Sequence, residues 1–390
     1  MAKTSLIKLI KAKEILDSKG KPTVEVELVS DSGRFSASVP SGVSTGKYEA
    51  VELAAEKAVN NVNKIIGPKL AGKNPTEQKE IDEFLIKIDG TENKSKLGAN
   101  AILAVSIAVS RAGAKSKKIP LWKWISLLAK TNPKLPVPGV LLIEGGLHGK
   151  GALDIQEFMI APQFPSFKEG FKLGVEIFKS LGKILDKKYG KKSLDLGVEG
   201  AFTPLIKETE EVLGLILSAV KQKKAKIILD IALSHSLSKK TPQYYLNLVK
   251  EYPILGLEDP FGQDDWQNWQ ELKERSEKLK VLVIGDDLLA TNLERMKMAK
   301  ERNACNTAII KPNQVGTVTE TIAAAKLAKS YGWKIMVSHR GGETMDDFIA
   351  DLAVGLGADY IKAGAPTKKE RMIKYNRLLK IEQQFYNSRS

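Results

Sequence analysis

The sequence predicts an α/β chain: a C-terminal (β/α)8-type barrel behind a smaller N-terminal α+β domain, a β-meander followed by helices. Three observations predict it. The length of 390 residues suits one small domain plus one barrel-sized domain. A short alternating segment near the start reads as antiparallel strands. In the second half, brief apolar runs recur at nearly constant spacing, each ending in a polar or charged residue.

Residues 7–40 give the meander. Thr23-Val24-Glu25-Val26-Glu27-Leu28 alternates apolar and polar, the period of a half-buried strand. Asp17-Ser18-Lys19-Gly20 and Asp31-Ser32-Gly33 supply turn chemistry on either side. Apolar spacing then predicts helices over 49–65, 76–88 and 98–116. Pro133, Pro136 and Pro138 fall within six residues and mark a junction, dividing the chain into domains 1–132 and 133–390.

Beyond the junction, Ile227-Ile228-Leu229 ends in Asp230, Ile254 to Leu257 in Glu258, and Leu282 to Gly285 in Asp286. Ala308 to Ile310 then ends in Lys311, Ile335 to Ser338 in His339, and Tyr360-Ile361 in Lys362. The intervals from Asp230 to Lys362 are 28, 28, 25, 28 and 23 residues, one strand plus one helix each. Helical stretches such as 266–279 and 318–331 fill the gaps. Barrel enzymes carry their functional groups at the C-terminal ends of the strands. Solvated loops put charges after any buried strand, so one or two such residues mean little. Six in succession converge on one rim.

Composition narrows the function. Apolar residues make up 43% and charged residues 27% of the chain, as in a soluble globular protein. The richest apolar stretch, Ala99 to Ala108, is too short for a membrane span, and the N-terminus has no apolar signal core. The single cysteine, Cys305, excludes an intrachain disulfide framework and suits a reducing, cytoplasmic setting. The net charge of +15 favours anionic substrates. It is scattered over helices rather than gathered with aromatics, which argues against a nucleic-acid partner.

Three carboxylates on successive strand ends, Asp230, Glu258 and Asp286, form an all-oxygen donor set suited to Mg²⁺; otherwise they are separate ion-paired carboxylates. Lys311 follows on the next strand. If poorly solvated beside cations it loses pKa and becomes a general base; the alternative is a structural ion pair with those carboxylates. Lys362 has the same ambiguity. Arg340, after His339 and before Gly341 and Gly342, suits a phosphate or carboxylate. Glu157 and Glu199 are candidate general acids if buried.

The ordered blocks VPSGVSTGKYEA, QEFMIAP, LEDPFGQDDW, IGDDLLATN, KPNQVGTVTE, SHRGGET and IKAGAP resemble enolase, and the resemblance runs from about residue 7 to 386. It implies a lyase of glycolysis and gluconeogenesis that dehydrates 2-phosphoglycerate to phosphoenolpyruvate. It further implies one tight Mg²⁺ held by Asp230, Glu258 and Asp286, and a second, bound with substrate, at Ser44. By the same resemblance Lys311 removes the carbon-2 proton and Glu199 assists departure of the carbon-3 hydroxide, so Glu199 should have a raised pKa. His148 and Glu157 are neighbouring active-site residues, while Gln156, His339, Arg340, Gly341, Lys362 and Ser44 lie at the substrate. The family's usual assembly implies a homodimer or an assembly of dimers.

The sequence departs from the family's pattern at the neighbours of these residues. Glu144 stands where the family has Asn, Leu147 where it has Ser, Val198 where it has Asp, and Gly341 where it has Ser. Pro312 follows the base Lys, and His235 replaces a Glu. A recurrent cross-subunit Arg–Glu pair becomes Lys19 and Gln383. These changes keep two other readings open: a superfamily lyase acting on another carboxylate, and a non-catalytic scaffold or binding protein.

Overall fold

The computed structural model describes residues 5–42, 46–149, 153–233 and 240–387. Alternation in the first segment produces β1 (Ile7–Leu16), β2 (Pro22–Ser30) and β3 (Gly33–Ser38), an antiparallel sheet in the order β1-β2-β3. The apolar face of β2 (Val24, Val26, Leu28) is fully buried, as a period of two requires.

Helices follow. The first, α1 (Ala55–Asn61), runs through a π turn at Val62–Ile66 into α2 (Gly67–Leu70). It starts later than the expected residue 49. The backbone of Ala50 and Val51 is committed elsewhere: Ala50 N–H donates to Gln314 O (2.8 Å), Val51 N–H to Asn93 O (2.8 Å), and Val51 O accepts from Ala99 N–H (2.8 Å). An amide bonded across the structure cannot join a helical ladder. Then come α3 (Gln78–Asp89), α4 (Ala99–Ser116) and α5 (Leu121–Ala129). Nearly every residue of α4 is buried, as its apolar circumference demands.

The second half closes into an eight-stranded barrel. Its strands are β4 (Val137–Glu144), β5 (Glu157–Pro162), β6 (Ala225–Asp230), β7 (Ile254–Glu258), β8 (Leu282–Gly285), β9 (Thr307–Ile310), β10 (Lys334–Ser338) and β11 (Tyr360–Lys362). Around it stand α6 (Phe167–Tyr189), α7 (Thr209–Val220), α8 (Pro242–Glu251), α9 (Trp266–Ser276), α10 (Leu293–Glu301), α11 (Val318–Ser330), α12 (Phe348–Leu356) and α13 (Lys369–Asn387). Side-chain caps start several of these helices. In α11, Thr317 Oγ1 accepts from Glu320 N–H (3.1 Å) while donating to Glu320 Oε2 (2.6 Å).

One strand departs from the regular βα repeat. β5 runs antiparallel to both β4 and β6. No helix lies among the described residues between β4 and β5, and two strands joined without a crossover are antiparallel. Both α6 and α7 therefore precede β6.

A buried carboxylate ties the two halves together. Asp82 of α3 accepts from Thr319 N–H (2.9 Å) and Thr319 Oγ1 (2.6 Å) at the start of α11, and from Ser106 Oγ (2.6 Å) of α4. The negative group meets the positive end of the helix dipole. Among the described residues, no helix is long and apolar enough to cross a membrane.

Candidate active site

Every apolar run that ended in a functional residue is a barrel strand. Asp230, Glu258 and Lys362 are the last residues of β6, β7 and β11; Asp286, Lys311 and His339 directly follow β8, β9 and β10. The reversed β5 adds a seventh group. Its first residue, Glu157, pairs in register with Glu144 at the end of β4 and Asp230 at the end of β6. In an all-parallel barrel the start of a strand would lie at the far rim.

The rim encloses a cleft lined among others by Glu49, His148, Gln156, Glu157, Glu199, Asp230, Asp286, Lys311, Arg340, Gly341 and Lys362. All the candidate residues within the described segments gather here except Glu258, which is fully buried beneath it. Ser44 and His235 lie outside the described residues.

Lys362 is the hub. Its Nζ lies 2.6 Å from Asp230 Oδ2, 3.0 Å from Glu258 Oε1 and 3.0 Å from Glu157 Oε2. Burial alone would depress its pKa, but Asp230, Glu157 and Glu258 together hold it well above the usual lysine value. Even so, burial and then mutual repulsion push the Glu258 carboxyl well up, and burial raises Asp230. The cluster is short of positive charge, and its free donors are carboxylate oxygens. Carboxylate oxygens are the donors that a hard divalent cation such as Mg²⁺ takes; the rim carboxylates within 4.8 Å of one another are Asp259, Asp286 and Asp287, a set that shares Asp286 with the expected Asp230, Glu258 and Asp286.

Lys311 corrects the first of its two readings and takes the second, the ion pair with a carboxylate. Burial lowers its pKa, but its ion pair with Asp286 outweighs burial, and the net shift is upward. A lowered pKa required neighbouring cations to outweigh the anion, and here the carboxylate is the nearest charge. Asp286 is correspondingly lowered: burial opposes ionisation and Lys311 overcomes it. Its other oxygen accepts from Gln314 Nε2 (3.1 Å).

Glu199 corrects another. Burial would raise its pKa, yet His339, His148 and Arg371 hold it well below the usual carboxylate range. His339 Nε2 is 2.9 Å from Glu199 Oε2, and His148 Nδ1 is 3.8 Å from Oε1. His148 is also 3.1 Å from Glu157 Oε1. Burial lowers the His148 pKa, but the Glu157 hydrogen bond and the charges of Glu199 and Glu157 raise it to about 9. The cluster thus disfavours a proton on Glu199 and favours one on His148. These three residues bring their donor atoms within 4.8 Å of one another.

The loop bearing Glu199 is held by its backbone. Glu144 Oε2 accepts from Glu199 N–H (2.9 Å) and Oε1 from Ala201 N–H (2.7 Å). Burial, then repulsion from Glu199, raises its pKa to about 8. Gly200 between them has φ +89°, and a Cβ there would strike Thr367 Oγ1, whose hydroxyl donates to Gly200 O (2.7 Å). The carboxyl group that Glu144 introduces is thus engaged by main-chain amides.

Arg340 Nη1 donates to Glu49 Oε2 (2.9 Å) and Asn313 Oδ1 (2.9 Å). Pro312 opens a single 3₁₀ turn, Pro312–Gln314, where a missing N–H costs no helical bond. Leu147 is 56% exposed and takes no part in this network.

The barrel's closing order, β10-β11-β4-β5-β6-β7-β8-β9, sets β9 opposite β5. Lys311 thereby faces the His148–Glu157–Glu199 group across the mouth. Sequence reasoning missed three participants. Asp259 receives Asp286 N–H (2.9 Å) and Asp287 N–H (2.7 Å) and so fixes the carboxylate after β8; adjacency to Glu258 was its only signal. Glu49, inside the block VPSGVSTGKYEA, holds Arg340, and Arg371, outside any of the quoted blocks, holds His339.

A family model described as the enolase C-terminal TIM barrel domain matches residues 132–247 and 235–389, and one described as the enolase N-terminal domain matches residues 7–125. Enolase B of Dictyostelium discoideum is 46% identical over 420 residues, covering 97% of this chain and 95% of that protein.

Proposed function

The chain belongs to the enolase family and dehydrates 2-phosphoglycerate to phosphoenolpyruvate; from that premise we propose the roles of its rim residues. The observation that carries the assignment is the opposition of Lys311 to His148, Glu157 and Glu199 across the barrel mouth. A proton is removed from carbon 2 on one side, and hydroxide leaves carbon 3 on the other.

Lys311 is the base. It acts as the free amine, so its ammonium must first lose the hold of Asp286. The carbon-2 proton is weakly acidic because its removal adds charge beside a carboxylate. Lys362 stands ready to bind that growing charge in a site with little water. Mg²⁺ held by Asp230, Glu258 and Asp286 would supply further positive charge there, and a Lys or His base beside Mg²⁺ is the general pattern of the enolase superfamily.

On the far side, His148 holds the proton and lies against both Glu157 and Glu199. We assign the acid function to this group: Glu199 is the carboxylate nearest the departing hydroxide, and His148 supplies its proton. Arg340, fixed by Glu49 and Asn313, points its charge at the substrate phosphate, and Gln156 and Gly341 line the same cleft. Ser44, a second Mg²⁺, pairing of two copies, a cytoplasmic setting and the division at residues 132/133 belong to the same proposal. Sedimentation velocity checks the pairing.

The test is direct. Purified protein is mixed with 2-phosphoglycerate and Mg²⁺, and phosphoenolpyruvate is followed by its ultraviolet absorbance. Turnover that chelator and Glu199→Gln both abolish is expected. Full turnover in Glu199→Gln would remove that residue from the mechanism.

A further inference from the structure

His339 follows β10 and is buried, and its two ring nitrogens face different elements. Nε2 lies 2.9 Å from Glu199 Oε2. Nδ1 meets Nη1 of Arg371, which projects from α13 and is itself fully buried. The same guanidinium donates through Nη1 to Arg340 O (2.6 Å) and through Nη2 to Gly341 O (2.7 Å). It therefore reads three consecutive residues at the end of β10. Gly364 makes the approach possible: it has φ +84°, and a Cβ there would sit 2.9 Å from Arg371 Cδ and 3.1 Å from His339 Cε1.

A guanidinium offers only donors and keeps its charge at any working pH. Nδ1 of His339 must then be the acceptor, which leaves the ring proton on Nε2, the nitrogen 2.9 Å from Glu199 Oε2. A second proton on Nδ1 would set N–H against N–H in a buried pocket, with no neighbouring acceptor gained.

We propose that Arg371 is a positioning residue that locks His339 as the neutral Nε2–H tautomer, so that the ring keeps one fixed N–H beside Glu199 Oε2 and takes no part in proton transfer. The role of that contact in catalysis rests on the assignment of Glu199 above; the tautomer does not. The charged groups facing His339 are Glu199 from the loop before α7, Arg371 from α13, and Glu343 after β10, which Lys374 of α13 holds at 2.5 Å. Burial moves the His339 pKa down; Glu199 and Glu343 oppose this, and Arg371 adds to it.

This division of labour gives the two active-site histidines opposite duties. His148, held by two carboxylates, carries the mobile proton. His339, held by a cation on one side and an anion on the other, keeps a fixed one.

The chain has three histidines, so ¹⁵N imidazole spectra are simple, and a His339→Gln variant identifies the signal. In the intact protein, His339 is expected to show a protonated Nε2 and a bare Nδ1. Neither should shift as pH passes through about 6.5, where a free imidazole titrates. Arg371→Met should release the ring: its signals should titrate, and the pH profile of kcat should gain one ionisation. A proton on Nδ1, or ordinary titration of His339 in the intact protein, would overturn the proposal. So would a folded Arg371→Met protein whose His339 stays fixed. If that variant does not fold, the spectrum of the intact protein decides alone. Because that spectrum needs no turnover, the tautomer stands or falls independently of the Glu199 assignment.

Discussion

Nζ of Lys362 lies 2.6 Å from Oδ2 of Asp230, joining the end of β11 to the end of a strand three places round the barrel. The same ammonium serves Glu157 and Glu258, so its loss strands three buried carboxylates. Breaking a buried ion pair by removing one partner costs about 3–5 kcal/mol. In chelator, Lys362→Met is therefore expected to unfold at markedly lower urea. Mg²⁺ should restore more stability to the variant than to the parent. An unchanged midpoint in chelator would mean that these carboxylates are already neutral.

Lys311 should be separable from binding. Lys311→Ala is expected to lower kcat by about 10²–10⁴-fold, the usual contribution of a positioned base. It should equally suppress exchange of the carbon-2 hydrogen with deuterated solvent. Exchange at the parent rate would assign the base elsewhere.

His148 sets a pH window for stability. Its pKa is about 9 in the folded protein, against about 6.5 for a free imidazole. The folded state thus binds the proton more tightly. That stabilisation is complete below about 6.5 and is lost as pH rises through about 9, up to about 3 kcal/mol. Glu144, raised to about 8, makes the folded state lose stability in the same direction from lower pH. Melting temperature should fall between pH 6.5 and 9 less steeply in His148→Asn than in the parent. Parallel slopes would show that His148 does not hold the extra proton.

Gly341 puts no side chain beside Arg340, where the family has Ser. A hydrogen bond to a charged group contributes about 1.5–3 kcal/mol. Gly341→Ser is expected to raise kcat/KM for 2-phosphoglycerate about tenfold. No gain would mean that the substrate phosphate is satisfied without it.

The rim was legible in the sequence because a buried parallel strand is an apolar run, and its end is marked by the first charge. Asp230, Glu258, Asp286, Lys311, His339 and Lys362 all carried that mark. The direction of β5 did not, since Phe158-Met159-Ile160-Ala161 reads alike in either sense; only the missing helix before it carries the information. Charge states were the least legible. Asp286 decides between the two readings of Lys311, and His339, His148 and Arg371 shift Glu199 opposite to expectation. Those neighbours are set by the three-dimensional closure, and nothing in the local sequence around Lys311 or Glu199 announces them. Arg371 and Glu144 act on side-chain orientation and main-chain amides, contacts that no motif spacing encodes.

Closure of the barrel depends on β11 pairing with β4, where Lys362 stands in register with Gly139. A chain growing from its N-terminus makes Glu157, Asp230, Glu258 and Asp286 long before Lys362. Until the last strand docks, these carboxylates have no ammonium from Lys362 and must stay hydrated. Sealing the barrel and neutralising its mouth are one event. A nascent chain halted before β11 should accordingly present an open, acid-lined sheet, and its collapse should respond to divalent cations more strongly than that of the finished chain.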